Sequence, residues 1–230
     1  MSDQVSLNYL HAFWRQHPVK TYKKGELIVF QGEAPRSAYA IKQGVVKAYN
    51  LSLGGDEKPV AFYSEDHVFP ASWVYGKAAS AIYYYEAFTP EVEVYVIDRK
   101  EFLDFIIKRP HLLYQELEKM LSDQLGASIR LNALQHSRAS DKLIYTLHYL
   151  AMTHGKPAGD KKVEITLALT HQDFANLTGL TRETAATELN KLKKQKVIEY
   201  AKNIPYTLDL GRLMKLLNDE FIADIELTSL

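Results

Sequence analysis

The sequence contains no cysteine. This absence excludes disulfides, thiolate metal sites, iron–sulfur clusters and cysteine nucleophiles together. Long apolar runs are missing too, because no stretch approaches the roughly 18 consecutive apolar residues of a membrane span. Residues 1–18 also lack the basic and apolar regions of a signal peptide. We therefore expect a protein without a membrane span that stays in the cytoplasm.

The chain also has no net charge, because 28 basic residues balance 28 acidic ones. Proteins that bind nucleic acid often carry a basic bias, so any contact with DNA must rest on a local patch. A composition of 47% hydrophobic and 24% charged residues is ordinary for a globular protein. Its 230 residues allow one large domain or two small ones, each with a proper core.

Short β-rich runs occupy the first half of the chain, from about residue 21 to residue 97. Glycine and proline turn signals separate them at intervals of roughly 8–12 residues. The runs are 27–30, 38–41, 45–49, 60–63, 82–85 and 92–97. They predict an all-β barrel or jelly roll. Ahead of them, apolar residues at helical spacing predict a short helix over 5–16.

A long helical pattern begins near Lys100, and Pro110 marks a break or a first helical turn. Apolar residues then recur every three to five positions: Leu113, Leu117, Met120, Leu121, Leu125, Ile129 and Leu134. This stripe predicts a helix of about 25 residues, or about 38 Å. Such a helix often pairs with a copy of itself, and the alternative is that it packs only on its own barrel. A further helix follows a break at 137–140 and ends at His154, before a predicted loop at 156–162.

Two short helices are predicted from capping signals in the last third of the chain. Thr170 precedes an apolar-periodic run and has Asp173 three residues later, which resembles a capping box and starts a helix at His171. Gly179 supplies a tight turn, and Thr181 is a second N-cap. Their inner faces are Phe174, Ala175 and Leu177, then Ala185, Leu189 and Leu192. Two such helices joined by a glycine turn predict a helix-turn-helix.

The outer face of the second helix has the chemistry to enter a major groove. Arg182 can donate two hydrogen bonds to guanine, and Glu183 can accept one from cytosine. Thr184 and Thr187 can contact a thymine methyl or a phosphate, and Lys191, Lys193, Lys194 and Lys196 offer cations to phosphates. Between residues 161 and 196, seven basic residues oppose four acidic ones, which leaves a local charge of +3. A solvated helical hairpin is the competing interpretation, but the two caps, the turn glycine and the Arg–Glu pair together favour DNA binding.

The segments after this pair of helices complete a familiar arrangement. Residues 197–200 and 206–210, around Asn203, predict a two-stranded wing, and 212–227 predict a terminal helix. The stretch from Thr170 to Ile198, with its Gly-Leu-Thr-Arg-Glu-Thr motif, resembles the winged helix of the cyclic-AMP receptor protein and fumarate–nitrate regulator (CRP/FNR) family. The order of roll, long helix and winged helix is also similar, so the resemblance covers nearly the whole chain.

The resemblance implies an α+β fold in three parts. These are an N-terminal double-stranded β-helix (jelly-roll) sensor domain at 1–110, a long dimerisation helix at 111–137 and a C-terminal winged helix-turn-helix at 138–230. It further implies a homodimeric transcription regulator that binds a near-palindromic site in double-stranded DNA and contacts RNA polymerase.

The resemblance also assigns roles to residues. Arg182 and Glu183 match base-reading positions, whereas Thr170, Gln172 and Thr181 match positions that touch backbone phosphates. The full expected DNA-binding set is Thr170, His171, Gln172, Thr181, Arg182, Glu183, Thr184, Thr187 and Lys191. Family members often carry a second arginine where this chain has Thr187, which argues against an operator like that of the cyclic-AMP receptor.

The region that would bind an effector departs from the cyclic-nucleotide pattern. Members that bind cyclic nucleotides hold the phosphate with a Gly-Glu pair and a following Arg-Ser/Thr-Ala run. Residues 68–85 contain neither, and Lys77 lacks the fork geometry of arginine. We expect no gating by cyclic AMP, and any small-molecule effector is unidentified. The aromatic residues here, namely Trp73, Tyr75, Tyr83, Tyr84 and Tyr85, could line an apolar pocket or belong to the strand core.

An enzyme is the remaining class to weigh, because metal-dependent cupins share β-rolls of this kind. Their metal sites need several converging histidines or carboxylates, and His67 is the single histidine between residues 18 and 110. The sequence has no nucleophile elbow, P-loop or dinucleotide fingerprint. We therefore predict no enzyme activity, no cofactor and no metal. A sensor or interaction protein with a degenerate winged helix that does not bind DNA stays open as an alternative.

Overall fold

The computed structural model describes residues 3–201 and 204–217, with the side chains of residues 9–201 and 205–217. The chain divides into two compact units, Met1–Leu121 and Ser122–Leu230. Asn203, which was expected in the wing, and residues 218–227, which were expected in the terminal helix, lie outside the described residues. No helix among the described residues is long and apolar enough to cross a membrane.

Two four-stranded antiparallel sheets form the roll of the first unit. One sheet has the order β1-β8-β3-β6 and the other the order β2-β7-β4-β5. The strands are β1 Val19–Lys23, β2 Leu27–Val29, β3 Ala38–Gln43, β4 Val46–Leu51, β5 Glu57–Tyr63, β6 Val68–Phe69, β7 Tyr84–Ala87 and β8 Glu91–Ile97. The predicted jelly roll is confirmed, because consecutive strands lie in opposite sheets except for β4 and β5, which pair as a hairpin.

The core of the roll lies between these two sheets. Alternate residues point inward from both, so Ile41 and Val94 of one sheet pack with Val46, Ala48 and Ala87 of the other. The predicted strand at 82–85 begins two residues later, at Tyr84. Strands β1 and β6 were not predicted. β1 is exposed except at Tyr22, and β6 has two residues, so neither carries a clear alternation.

Four helices accompany the roll within the described residues: α1 Asp3–Trp14, α2 Ala71–Val74, α3 Arg99–Ile107 and α4 Pro110–Gln135. A second apolar cluster joins the helices to the roll, with Trp14, Phe102 and Leu112 fully buried in it. The long helix was predicted correctly, and it begins at Pro110, where a missing N–H costs nothing.

The apolar stripe of α4 divides into buried and exposed members. Ile129 is buried, whereas the other predicted stripe residues are exposed in the single chain, as are Tyr114 and Leu131. In the first unit, the helix face next to the stripe carries Leu112 and Glu116, which are buried against the roll and its helices. The exposed stripe therefore needs another explanation than packing within one chain.

The second unit is built around one buried helix. Its described elements are α5 Ala139–His154, β9 Gly155–Pro157, β10 Lys162–Ile165, α6 His171–Thr178, α7 Arg182–Lys194, β11 Ile198–Ala201, β12 Ile204–Asp209 and α8 Leu210–Leu217. Every residue of α5 from Leu143 to Ala151 is buried, not only the predicted face. The second half of α4 packs on α5 at Gly126, where an added Cβ would lie 3.0 Å from the Tyr149 ring.

The wing is larger than predicted. Strands β11 and β12 pair with each other as expected, but the sheet order β11-β12-β10-β9 adds two more strands. The segment 156–162, predicted as a loop, thus contributes the end of β9 and the start of β10. Strand β9 has three residues, including Gly and Pro, and shows no alternation, whereas β10 alternates polar residues with the buried Val163 and Ile165 over only four positions, too few to stand out. The terminal helix begins at Leu210, two residues before its predicted start.

Candidate nucleic-acid interface

The first helix of the predicted helix-turn-helix begins with the capping box expected from its sequence. Thr170 Oγ1 accepts a hydrogen bond from the backbone N–H of Asp173 at 3.2 Å, and Asp173 Oδ2 accepts one from the backbone N–H of Thr170 at 2.7 Å. These reciprocal bonds satisfy two donors that a helix start leaves without partners. Helix α6 therefore starts at His171, and this start fixes the positions from which the side chains of His171 and Gln172 leave the backbone.

The turn between α6 and α7 follows from Gly179 and Thr181. Gly179 adopts φ +68°, a left-handed conformation that ends a helix and suits glycine. Thr181 then caps α7, because its hydroxyl accepts from the backbone N–H of Thr184 at 3.2 Å. Behind the turn, Phe174 and Ala175 are buried. The chain thus forms a helix-turn-helix with α7 as its second helix.

Helix α7 presents a buried face and an exposed face. Ala185, Leu189 and Leu192 are buried, as predicted. The exposed side chains are Arg182, Glu183, Thr187, Asn190, Lys191 and Lys194, with Thr184 half-buried. Neither Arg182 nor Glu183 forms a hydrogen bond or ion pair with any described residue. Both are therefore available to an outside partner at the helix N-terminus.

Two lysines of α7 already have partners within the chain. Lys191 Nζ lies 2.6 Å from Glu188 Oε1 on the same helix. Lys193 Nζ donates to the backbone carbonyl of Tyr200 at 2.7 Å and lies 4.5 Å from the centre of the Tyr200 ring. Lys193 thereby ties the end of α7 to the wing while keeping its charge at the surface.

An aromatic cluster connects the wing to α6. Tyr200 stacks on Tyr206 with ring centroids 4.6 Å apart, and Tyr206 meets the Phe174 ring edge-on at 5.0 Å. His171 lies edge-on to Tyr200 at 5.7 Å. Burial raises the pKa of both Tyr200 and Tyr206, so both phenols are neutral near pH 7.

His171 is half-buried at the first position of α6. Burial lowers its pKa first, and the positive charge of Arg182 lowers it further. Neutral imidazole is therefore the favoured form of this side chain near pH 7 in the free protein. His171 forms no hydrogen bond or ion pair with the described residues.

An open groove of about 1080 Å³ lies where α6, α7 and the wing meet. Its lining residues come from the loop before α6, the first turns of both helices and the wing. They are Thr166, Leu167, Ala168, Leu169, Thr170, His171, Gln172, Arg182, Lys193, Tyr200, Ala201, Pro205 and Tyr206. The groove thus brings together Thr170, His171, Gln172 and Arg182 of the predicted set.

The remaining predicted residues lie outside the lining of the groove. Thr181, Glu183, Thr184, Thr187 and Lys191 occupy the turn and α7. Tyr200 and Tyr206 were predicted only as parts of the wing strands and Lys193 only as a phosphate contact, so none of the three was expected to line this groove. Their part in the site depends on how the wing folds back, which no local motif encodes.

The segment of the roll expected to bind an effector is held by internal contacts. Arg99 Nε donates to the backbone carbonyl of Val74 at 2.9 Å, and its guanidinium lies 5.1 Å from the centre of the Trp73 ring. Tyr85 is buried in the roll core, so it is a strand-core residue. No described group of three or more histidines and carboxylates could hold a metal ion.

Comparisons with known proteins agree with both units. A cyclic nucleotide-binding domain matches residues 19–109, and a Crp-like helix-turn-helix domain matches residues 141–216. The chain is 29% identical to the global nitrogen regulator of Synechococcus elongatus over 78% of this chain and 81% of that protein. It is 23% identical to the fumarate and nitrate reduction regulatory protein of Vibrio cholerae over 86% of this chain and 77% of that protein.

Solved structures share the fold at lower sequence identity. A mutant of CooA from Carboxydothermus hydrogenoformans has a TM-score of 0.71 at 20% identity, covering 90% of each chain. FixK2 from Bradyrhizobium japonicum has a TM-score of 0.70 at 20% identity, covering 87% of this chain and 96% of its own.

The roll, the long helix and the helix-turn-helix with its wing define a transcription regulator with a DNA-binding domain, not an enzyme. The chain belongs to the CRP/FNR family of regulators, as the resemblance implied.

Proposed function

We propose that this regulator binds a near-palindromic DNA site as a homodimer and reads its sequence with α7. The observation that carries the proposal is the N-terminus of α7, where Arg182 and Glu183 are exposed and have no partner among the described residues. In helix-turn-helix proteins the first residues of the second helix reach base edges, and the first helix approaches the backbone. Arg182 then reads guanine and Glu183 reads cytosine.

The other expected residues have supporting roles in this proposal. Thr170, Gln172 and Thr181 contact phosphates near the two helix starts, where backbone N–H groups favour anions. Thr184 lies in the first turn of α7 and Thr187 in the second, and Lys191 contributes a further cation. His171 lies beside Thr170 and Gln172 in the groove.

The homodimer is supported by the exposed stripe of α4. Leu113, Leu117, Met120, Leu131 and Leu134 are between 38% and 59% exposed. These residues follow one another at spacings of three or four, and Gln124 and Ala127 continue that spacing between Met120 and Leu131. Such a spacing is that of a coiled-coil seam. Exposed leucines in such a line are costly in water unless a second copy of the helix covers them.

In the same proposal the three parts keep the roles expected of them. Residues 1–110 sense, 111–137 dimerise and 138–230 bind DNA. Cyclic AMP is not the signal, because the segment after β6 offers a single cation, Lys77, and the next, Arg99, is engaged by Val74 and Trp73. Any effector is a different small molecule, and the protein acts in the cytoplasm together with RNA polymerase.

Binding-site selection with the full chain tests the proposal. The protein is incubated with genomic fragments, bound fragments are sequenced, and the selected duplex is used in gel-shift titrations. We expect Arg182→Ala to weaken binding by about 10-fold to 100-fold and to relax the sequence preference at one position of each half-site. Arg36→Ala is the matched control, because Arg36 is an exposed arginine of the roll. Absence of any retarded species at low salt would contradict the proposal.

A further inference from the structure

The groove between α6, α7 and the wing carries positive charge without a balancing negative charge. Three of its lining side chains can be cationic, namely His171, Arg182 and Lys193, and none of the described residues that line it is acidic. The groove is also open to solvent and adjoins the start of α7. Its charge and position fit an anion carried on the same DNA whose bases α7 reads.

The backbone around His171 adds to this positive field. His171 and Gln172 stand in the first turn of α6, where N–H groups have no carbonyl partner within the helix. The helix dipole also places partial positive charge at this end. The one nearby carboxylate on the helix, Asp173, is engaged by Thr170 in the capping box.

The wing forms a fixed wall for the groove. Lys193 bonds the carbonyl of Tyr200, and the Tyr200 hydroxyl donates to Asn190 Oδ1 at 3.0 Å. Tyr200 in turn contacts the His171 ring. These contacts fix the imidazole between a neutral aromatic wall and the cation of Arg182.

We propose that a phosphate of the DNA backbone docks in this groove and that the protonation of His171 sets the strength of the contact. This rests on the proposed DNA-binding function and adds a titratable contact to it. The groups that face His171 are Asp173 from its own helix, Arg182 and Lys193 from α7, and Tyr200 and Tyr206 from the wing. A phosphate that enters the groove adds negative charge next to His171, and this charge favours imidazolium over neutral imidazole.

DNA binding therefore takes up a proton at His171, and this linkage sets the direction in which affinity changes with pH. The pKa of His171 is depressed in the free protein and rises when the phosphate is bound. Affinity for DNA increases as pH falls through the interval between those two pKa values. Each unit of difference between them corresponds to about a tenfold change in affinity.

Fluorescence anisotropy with the selected operator duplex tests this at fixed salt from about pH 5.5 to about pH 8, the range in which histidine titrates. We expect wild-type affinity to rise several-fold on acidification. His171→Gln removes that rise, and His171→Lys, which is charged throughout, binds at pH 8 as tightly as wild type at low pH. His67→Gln in the roll is the matched control and keeps the wild-type slope.

A second readout separates a phosphate contact from a general effect on folding. At low pH, His171→Gln reduces the slope of log affinity against log salt by about one, the signature of a lost phosphate contact. Lys193→Gln also lowers this slope but leaves the pH dependence in place. A wild-type pH slope in His171→Gln would overturn the inference. Absence of operator binding at every pH would instead contradict the proposed function itself.

Discussion

Thr170 shows how much one side chain contributes at the start of the site. Its hydroxyl and backbone N–H both bond to Asp173, and this pair fixes where α6 begins. We predict that Thr170→Ala destabilises the second unit by about 1 kcal/mol, because the N–H of Asp173 loses its acceptor. Thermal unfolding with hydrogen exchange at α6 amides measures the loss, and Thr170→Ser is the control that keeps the cap. Unchanged exchange in Thr170→Ala would show that the capping box does not stabilise α6.

The residues of the site divide by how locally they are determined. Thr170 and Thr181 were predictable because each cap closes within four residues of sequence. The buried face of α7 was predictable for the same reason, since helical spacing alone selects Ala185 and Leu189. The contact of His171 with Tyr200 was not predictable, because 29 positions separate them and the wing must fold back first. Sequence patterns thus identified α7 as the second helix of the helix-turn-helix but not the groove beside it.

Among the elements, α4 carries a buried charge that the stripe pattern did not reveal. Glu116 is 6% exposed. Its Oε2 accepts from the Tyr75 hydroxyl at 3.0 Å, and its Oε1 lies 3.3 Å from Lys119 Nζ. Lys119 also donates to the backbone carbonyl of Asp66 at 3.0 Å. Tyr75, at the end of α2, thereby ties the segment after β6 to the long helix.

We predict that Tyr75→Phe destabilises the first unit by about 1–3 kcal/mol, because a buried carboxylate oxygen loses its donor. The melting temperature of the full chain, followed through the near-ultraviolet signal of the roll, measures this. Tyr114→Phe is the matched control, since Tyr114 lies on α4, as Glu116 does, and is 61% exposed. Equal melting temperatures for Tyr75→Phe and wild type would show that Glu116 gains nothing from the tyrosine.

The elements themselves were predictable in proportion to their length and periodicity. The 26-residue α4 and the longer strands of the roll show their period over many residues. The strands β1, β6 and β9 show no such period, and β10 shows it over only four residues, so their pairing with hydrogen-bonded neighbours identifies them as strands. The wing sheet was therefore underestimated: β11 and β12 were predicted, whereas β10, which pairs with β12, and the edge strand β9 were not.

At the scale of the whole molecule, the proposed assembly would explain both the exposed stripe of α4 and the exposed face of α7. In this proposal a dimer through α4 covers the leucines and carries two copies of α7, one for each half-site. For successive major grooves on one face of B-DNA these must stand about 34 Å apart. A single helix-turn-helix reads one half-site. Most of the affinity for a near-palindromic site is therefore expected to come from joining two helix-turn-helix units in one dimer.

We predict that Leu117→Glu converts the dimer to a monomer, because the seam would then bury two carboxylates opposite each other without partners. Analytical ultracentrifugation at micromolar concentration measures the mass, and operator titration of the same sample should show weakening of at least about 100-fold. Glu118→Gln is the matched control, since the neighbouring Glu118 is exposed off the apolar stripe. A wild-type chain that sediments as a monomer would contradict the assembly. A Leu117→Glu variant that stays dimeric would instead place the dimer interface outside α4, leaving its exposed leucines to a different partner.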